Sequence, residues 1–310
     1  MNFIIDTYDT KIFNYTNGSI NDNILNKMPI YIINLEDNIS RRNYINFMMS
    51  RMKINYKLVI VKRITDDIYD SIKKYTRLSK EKLGCVLSHL YCIKQGIDTE
   101  CDKFVIFEDD IIFHKKFTEI FTDELLNLNF DMLMLGACDF NFHYNINYKK
   151  TITKELDIYT PFKIALGAHA NIYSKEFAKK IYNYKISNII KEFDCDFGKF
   201  YGRNSNIFIC YPNLVITELS TTNLNHNFSN EYSMKKYIKS IFDNSFKYKD
   251  YNYITIDFIN YSKNIEQDMI FTQLVELYIN HISFQNSELK NMICEGLLNS
   301  GYTIEDIKSI

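Results

Sequence analysis

Tryptophan is absent from this chain of 310 residues, and proline occurs three times. Its seven cysteines never form a Cys-x-x-Cys pair, which speaks against zinc-ribbon and thioredoxin-like chemistry. The count is odd and the spacing scattered, so no secreted disulfide framework is expected and the cysteines read as reduced thiols. The chain has no Gly-x-x-x-x-Gly-Lys-Ser/Thr run, which excludes a P-loop kinase. It also lacks any apolar run near the roughly 20 residues that span a bilayer. Met1–Thr10 carries Asp6 and Asp9 where a signal peptide would be basic and then apolar. The expectation is a cytoplasmic protein without an integral membrane segment, acting in the host cytoplasm or virion if its source is viral. Charge of one sign is missing too: 37 Lys+Arg stand against 38 Asp+Glu, for a net charge of -1. That balance provides no global field for nucleic acid or an anionic membrane. Pairs such as Lys73-Lys74 and Lys235-Lys236 read as solvated helix faces.

Asn, Ile, Lys and Tyr are abundant where Pro and Trp are scarce, the mark of codon drift in an AT-rich genome such as that of a large DNA virus or an AT-rich microbe. The same drift makes glycosylation-like matches cheap, and Asn14-Tyr15-Thr16 and Asn227-Phe228-Ser229 read as chance.

Hydrophobic residues make up 46% of the chain, enough for one sizeable core and a smaller appendage. Phe3–Ile5 and Lys11–Tyr15 read as short strands of an N-terminal decoration, residues 1–28. Pro29–Leu35 is a nearly continuous apolar run, the pattern of a strand buried on both faces. A helix follows from about Ser40 to Met52, a strand at Tyr56–Val61 and a helix at Ser79–Ile97, with Leu83, Leu87, Leu90 and Ile93 on one face. Lys103–Phe107 is a third strand, Lys116–Leu126 a helix and Met132–Leu135 a fourth strand. Ile164–Tyr173 reads as a strand, Ser174–Tyr184 as a helix, and Ile207–Cys210 and Leu214–Ile216 as late strands. Strands alternating with helices predict an α/β fold, a mostly parallel sheet flanked by helices over residues 29–232. From Ser233 the apolar spacing turns helical, predicting a small helical C-terminal module over 233–310. Packing onto the main domain and a homodimer contact are both open to it.

The chemistry concentrates at Phe107-Glu108-Asp109-Asp110-Ile111. Three carboxylates at the end of an apolar strand repel one another beside a low-dielectric core. A hard divalent cation, Mg²⁺ or Mn²⁺, relieves that repulsion and leaves coordination positions for diphosphate oxygens. A solvated acidic turn is the plainer alternative. Gly84-Cys85-Val86-Leu87-Ser88-His89-Leu90 is the second feature. Its glycine costs about 1 kcal/mol inside a helix, which points to a close approach, while a helix-start glycine beside a satisfied core histidine is the alternative.

In order, Ile30–Leu35 ending in Asn34-Leu35, then Arg41-Arg42, then Gly84-Cys85-x-x-Ser88-His89, then Glu108-Asp109-Asp110 resembles glycosyltransferase family 25. That family includes bacterial lipooligosaccharide galactosyltransferases of lipopolysaccharide biosynthesis and the procollagen galactosyltransferases of collagen glycosylation. The resemblance covers about Pro29 to Ser220. It implies the nucleotide-sugar fold called GT-A, a UDP-hexose donor, usually UDP-galactose, a glycan or protein acceptor, Mn²⁺ dependence and inversion at the anomeric carbon. Carried onto this chain, Asp110 would ligate Mn²⁺, with Asp109 helping directly or through water, and Glu108 would bind ribose or support the metal. Asn34 and Leu35 would approach the uridine, and Arg41 and Arg42 the diphosphate. Gly84, Ser88 and His89 would line the donor pocket. His226 is a further candidate metal ligand, since related folds bring a late histidine to the metal; a surface histidine is the alternative. Asp194 or Asp196 would be the catalytic base, set among apolar residues on the acceptor side, unless the pair caps a helix.

Other readings are a nucleotidyltransferase, for which Asn34–Arg42 lacks the expected glycine-rich phosphate loop, and a degenerate transferase kept as a scaffold or sugar binder. The intact acidic triplet argues against the latter.

Overall fold

The computed structural model describes residues 10–137, 146–161, 165–200 and 205–217. The expected helical module over 233–310 and His226 lie outside the described residues, as do Phe3–Ile5.

Nine strands form one sheet: β1 (Thr10–Tyr15), β2 (Ile30–Leu35), β3 (Tyr56–Val61), β4 (Lys103–Glu108), β6 (Met132–Met134), β7 (Ile146–Thr151), β8 (Asp157–Pro161), β9 (Ala170–Ser174) and β10 (Ile207–Tyr211). Their order is β1-β3-β2-β4-β9-β6-β10-β8-β7. A second, two-stranded sheet pairs β5 (Ile111–Phe113) with β11 (Val215–Thr217). The helices are α1 (Ile39–Arg51), α2 (Asp66–Ile72), α3 (Lys80–Ile97), the short α4 (Phe117–Ile120) and α5 (Asp123–Leu126), and α6 (Lys175–Ser187).

The α/β class is as expected, but the mostly parallel sheet is corrected to a mixed one. Among the described strands, only the β3–β2, β2–β4 and β6–β10 pairs are parallel. Strand β9 enters antiparallel between β4 and β6, β1 joins antiparallel to β3, and β8 and β7 extend the far edge antiparallel to their neighbours. The strand read at Ile164–Tyr173 is β9, shorter and shifted to Ala170–Ser174. The helix read over Lys116–Leu126 is two short turns, because the chain turns extended at Phe121 and again at Thr122. Residues 10–15 belong to the main sheet through β3.

Alternation along the central strands sorts side chains to two faces. Ile30, Ile32, Leu58, Val105 and Phe107 pack on one side with Tyr44, Ile45, Met48 and Met49 of α1. Tyr31, Val59, Phe104 and Ile106 pack on the other with Val86, Leu90 and Ile93 of α3 and Phe177 and Ile181 of α6. Helix starts are set by side-chain caps. Asn38 accepts from the Arg41 amide, Ser79 from Lys82 and Ser174 from Phe177. Among the described residues no helix is long and apolar enough to cross a membrane.

Gly167 and Gly136, next to the β9 and β11 strands, are among the glycines their surroundings require. Gly167 has φ of +135° just before β9, a conformation L side chains rarely adopt. A Cβ on Gly136 would lie 1.8 Å from the Val215 carbonyl oxygen and 2.9 Å from His169 Nε2. Gly136→Ala is therefore expected to lower unfolding free energy by about 3 kcal/mol, the upper end of overpacking costs. Urea titration checks this, and an unchanged midpoint would show that the β6–β11 approach gives way freely.

Candidate active site

Strands β3, β2 and β4 are adjacent and parallel, so their carboxyl ends open together, where α/β sheets hold ligands. A cleft of about 250 Å³ lies there. Its walls are Ile33 and Leu35 from β2, Val61 at the end of β3 with Lys62, Arg63 and Ile64 after it, Glu108 at the end of β4 with Asp109 and Asp110 after it, and Arg41. One face of α3 closes it with Lys80, Glu81, Gly84, Cys85, Ser88 and His89, a run that follows helical periodicity.

Of the residues expected at the donor and metal sites, eight meet in this cleft: Leu35, Arg41, Gly84, Ser88, His89, Glu108, Asp109 and Asp110. Asn34 and Arg42 stand behind the wall. Asn34 is buried; its amide donates to Asp109 Oδ2 at 2.7 Å and to the Asn38 carbonyl at 3.1 Å, and its oxygen accepts from Arg42 Nε at 2.9 Å. Arg42 also donates to the carbonyls of Leu35 and Glu36, tying down the loop after β2. These two residues fasten the loop after β2.

Arg41 is the cation of the buried acidic pair. Its Nη1 lies 2.9 Å from Asp109 Oδ1 and 3.3 Å from Asp110 Oδ2, with all three side chains about one-tenth exposed or less. One guanidinium does not offset both carboxylates. Burial raises the Asp109 carboxyl to about 6, with Arg41 opposing and Asp110 adding to the rise. Burial likewise raises Asp110, against the field of Arg41 and with that of Glu108. At Glu108, burial pushes upward, but the hydrogen bond from His89 and the fields of His89, His169 and Arg41 outweigh it and hold the group low. Both Asp109 oxygens are occupied, by Arg41 and Asn34. Among the described residues, Asp110 Oδ1 is buried without a hydrogen-bond partner. A buried carboxylate oxygen facing a charge deficit is what a divalent cation would satisfy, so the residues present fit such an ion.

His89 is buried and its Nε2 stands 2.9 Å from Glu108 Oε1. Its ring stacks on Phe193 at 4.6 Å, which ties α3 to the 3-10 turn Asp194–Lys199. Ser88 donates to the Gly84 carbonyl at 2.8 Å, a back-bond within the helix. The two candidate bases part company in that turn. Asp194 accepts from the Gly167 amide at 2.8 Å and lies near enough to Glu108 and His89 to feel their charges. Burial raises its carboxyl above the usual range, the Gly167 hydrogen bond opposing and Glu108 adding. Asp196 is buried against Lys185, whose Nζ lies 2.7 Å from Oδ2 and also donates to the carbonyls of Lys191 and Glu192.

Sequence reading missed several contributors. Lys62 and Arg63 follow directly on a buried strand and bring cations to the rim; a basic pair at a strand's carboxyl end was a readable signal. Lys80 and Glu81 carry none beyond helix periodicity. His169, buried with Nε2 unpartnered among the described residues, accepts the Glu108 amide through its carbonyl. Only the β4–β9 pairing reveals it.

The family model described as glycosyltransferase family 25 (LPS biosynthesis protein) matches residues 27–195. Among curated proteins, none matches the chain. The matched stretch is just over half of the sequence and holds every residue lining the cleft, and so the protein belongs to glycosyltransferase family 25: it is a glycosyltransferase, served by a nucleotide-sugar donor and an acceptor.

Proposed function

We propose that the cleft binds a UDP-hexose, with galactose or glucose as the sugar, and that the enzyme transfers the hexose with inversion to a hydroxyl of a glycan or protein on a GT-A-type domain. The observation that carries this reading is the Asp109–Asp110 pair, buried at the carboxyl ends of β2 and β4, with an unpartnered Asp110 oxygen and a cationic rim. A UDP-sugar matches those walls part by part. The apolar strand ends Ile33, Leu35 and Val61 suit the base, and Lys62, Arg63 and Lys80 suit phosphate oxygens.

Asp110 is the main ligand for Mn²⁺ or Mg²⁺ in this proposal, with Asp109 held by Asn34 and Arg41 to act at one remove, and His226 as a further candidate ligand. Bound there, the ion would neutralise charge on the diphosphate leaving group. Glu108, oriented by His89, faces the same cleft and suits a ribose hydroxyl. Asp194 is preferred as the base over Asp196, whose carboxylate is committed to Lys185. In the transfer step the acceptor oxygen forms a bond to the anomeric carbon as the carbon–phosphate oxygen bond breaks. The acceptor proton passes to Asp194, and UDP leaves with the electron pair.

The domain scheme, 29–232 with β1 of the 1–28 segment joined to its sheet and 233–310 as a further module, and a homodimer contact through the last segment belong to this proposal. Among the described residues, Cys85, Cys92, Cys101, Cys195 and Cys210 form no disulfide, which suits a reducing compartment such as the cytoplasm.

The decisive experiment is a panel of nucleotide sugars assayed for donor hydrolysis and transfer, with Mn²⁺ and with EDTA. Turnover of one UDP-hexose that depends on Mn²⁺ is expected. Full activity in EDTA sinks the metal assignment, and binding without turnover of any donor favours a retained sugar-binding protein.

A further inference from the structure

Cys85 and His89 stand one helical turn apart on α3, the spacing that places two side chains on one face. Glu108 reaches the same point from the end of β4, with its Oε1 already 2.9 Å from His89 Nε2. One ligand atom from each of Cys85, His89 and Glu108 can be chosen so that all lie within 4.8 Å of one another. Bonds of about 2.0–2.3 Å to sulfur, nitrogen and oxygen place neighbouring ligands of a tetrahedral ion about 3.5 Å apart. Closing the present separations, at most 4.8 Å, to that spacing would bring all three atoms onto one ion.

Thiolate, imidazole and carboxylate together form a different ligand class from Asp109 and Asp110. Hard Mg²⁺ and Mn²⁺ prefer oxygen, whereas borderline-soft ions such as Zn²⁺ take sulfur and nitrogen. Cys85 is a free thiol, and its side chain lines the cleft. We propose that Cys85, His89 and Glu108 form a second cation site, for Zn²⁺ or an ion of like softness, with its fourth position open to the cleft. On binding, the Cys85 thiol proton leaves to solvent as the sulfur–metal bond forms. The imidazole binds as the neutral tautomer with its proton on the other nitrogen, and Glu108 exchanges its hydrogen bond with His89 for a bond to the ion. The consequence for turnover rests on the donor-site reading above: an ion at this wall takes up donor space, so Zn²⁺ inhibits in competition with the nucleotide sugar.

The test uses the metal-stripped full chain titrated with Co²⁺ as a coloured stand-in for Zn²⁺. Expected is a near-ultraviolet sulfur-to-cobalt charge-transfer band that Zn²⁺ bleaches and that Cys85→Ser and Cys85→Ala both lose while keeping wild-type circular dichroism. His89→Gln removes a direct ligand, so Zn²⁺ affinity by calorimetry is expected to fall by more than the roughly 10- to 100-fold typical of losing an outer-shell partner. X-ray absorption of the cobalt form needs no variant and is expected to show one sulfur neighbour. A wild-type protein without the band or without a sulfur neighbour overturns the proposal, as does a band that persists in a folded Cys85→Ser. None of these readouts uses turnover, so failure of the cation site leaves the transferase reading standing, and loss of that reading leaves the cation site testable.

Discussion

Asp110→Asn is expected to lower transfer by more than about 100-fold, beyond the range typical of losing an outer-shell metal partner, with the fold intact. The substitution preserves side-chain shape and removes one charge from the buried Asp109–Asp110 pair beside half-buried Glu108. Arg41 keeps Asp109 at 2.9 Å when its 3.3 Å contact with Asp110 weakens. The hydrogen bond from Thr217 to residue 110 can pass to an amide oxygen. Because burial has already raised the Asp110 carboxyl, its charged form weighs against folding at neutral pH. The melting temperature should therefore stay level or rise. UDP affinity should fall in Mn²⁺ and remain unchanged in EDTA, which separates loss of a metal ligand from collapse of the pocket. A variant that keeps more than about a tenth of wild-type transfer, against that expected 100-fold loss, would falsify the assignment of Asp110 as the main ligand.

The parts of this site that sequence reading reached are those whose signal is local. Ile30–Leu35, Tyr56–Val61 and Lys103–Phe107 are apolar runs bounded by polar turns, and they form the three parallel strands whose ends make the cleft. Gly84, Ser88 and His89 follow helix periodicity, and the acidic triplet announces itself by charge. What stayed hidden depends on pairing between distant segments. Nothing in Ala170–Ser174 encodes its direction, and its antiparallel entry beside β4 turns a parallel sheet into a mixed one and brings His169 to Glu108. Helix α2 buries no residue, so no apolar stripe marked it. Strand β7 exposes Tyr148, Lys149 and Lys150 and is placed only by β8. Asn34 and Arg42 read as donor contacts in one dimension, and the fold adds a second task, fastening the loop after β2 beside Asp109. The same holds for Asp194 and Asp196. Their spacing leaves both open, and the choice turns on Lys185, which α6 brings in.

That choice leads to opposite expectations for two neighbouring carboxylates. Asp194→Asn should reduce kcat by about 100- to 10,000-fold, the usual contribution of a positioned proton acceptor, with KM for the donor nearly unchanged. Its structural contact survives, since an amide oxygen still accepts from the Gly167 amide. Stability should not suffer either. The Asp194 carboxyl is raised above its ordinary value of 3.8, mainly by burial. A group raised on folding contributes stability that is full below its unfolded pKa and is lost as pH rises through the folded one. At neutral pH the charged form is thus a burden that asparagine removes, and the melting temperature should hold or rise. The same shift moves the acid limb of kcat/KM above the usual aspartate range, and that limb should vanish in the variant. Asp196→Ala should do the reverse. It strips the buried Lys185 ammonium of its counter-charge, leaving only the carbonyls of Lys191 and Glu192. Removing one partner of a buried pair costs about 3–5 kcal/mol, so the melting temperature should drop steeply while the protein still folded retains its kcat. Thermal melts beside steady-state transfer assays of Asp194→Asn, Asp196→Ala and Asp196→Asn decide the matter. If Asp194→Asn transfers at the wild-type rate and Asp196→Asn, folded, does not, the base is Asp196 and the Lys185 pair must open during the reaction.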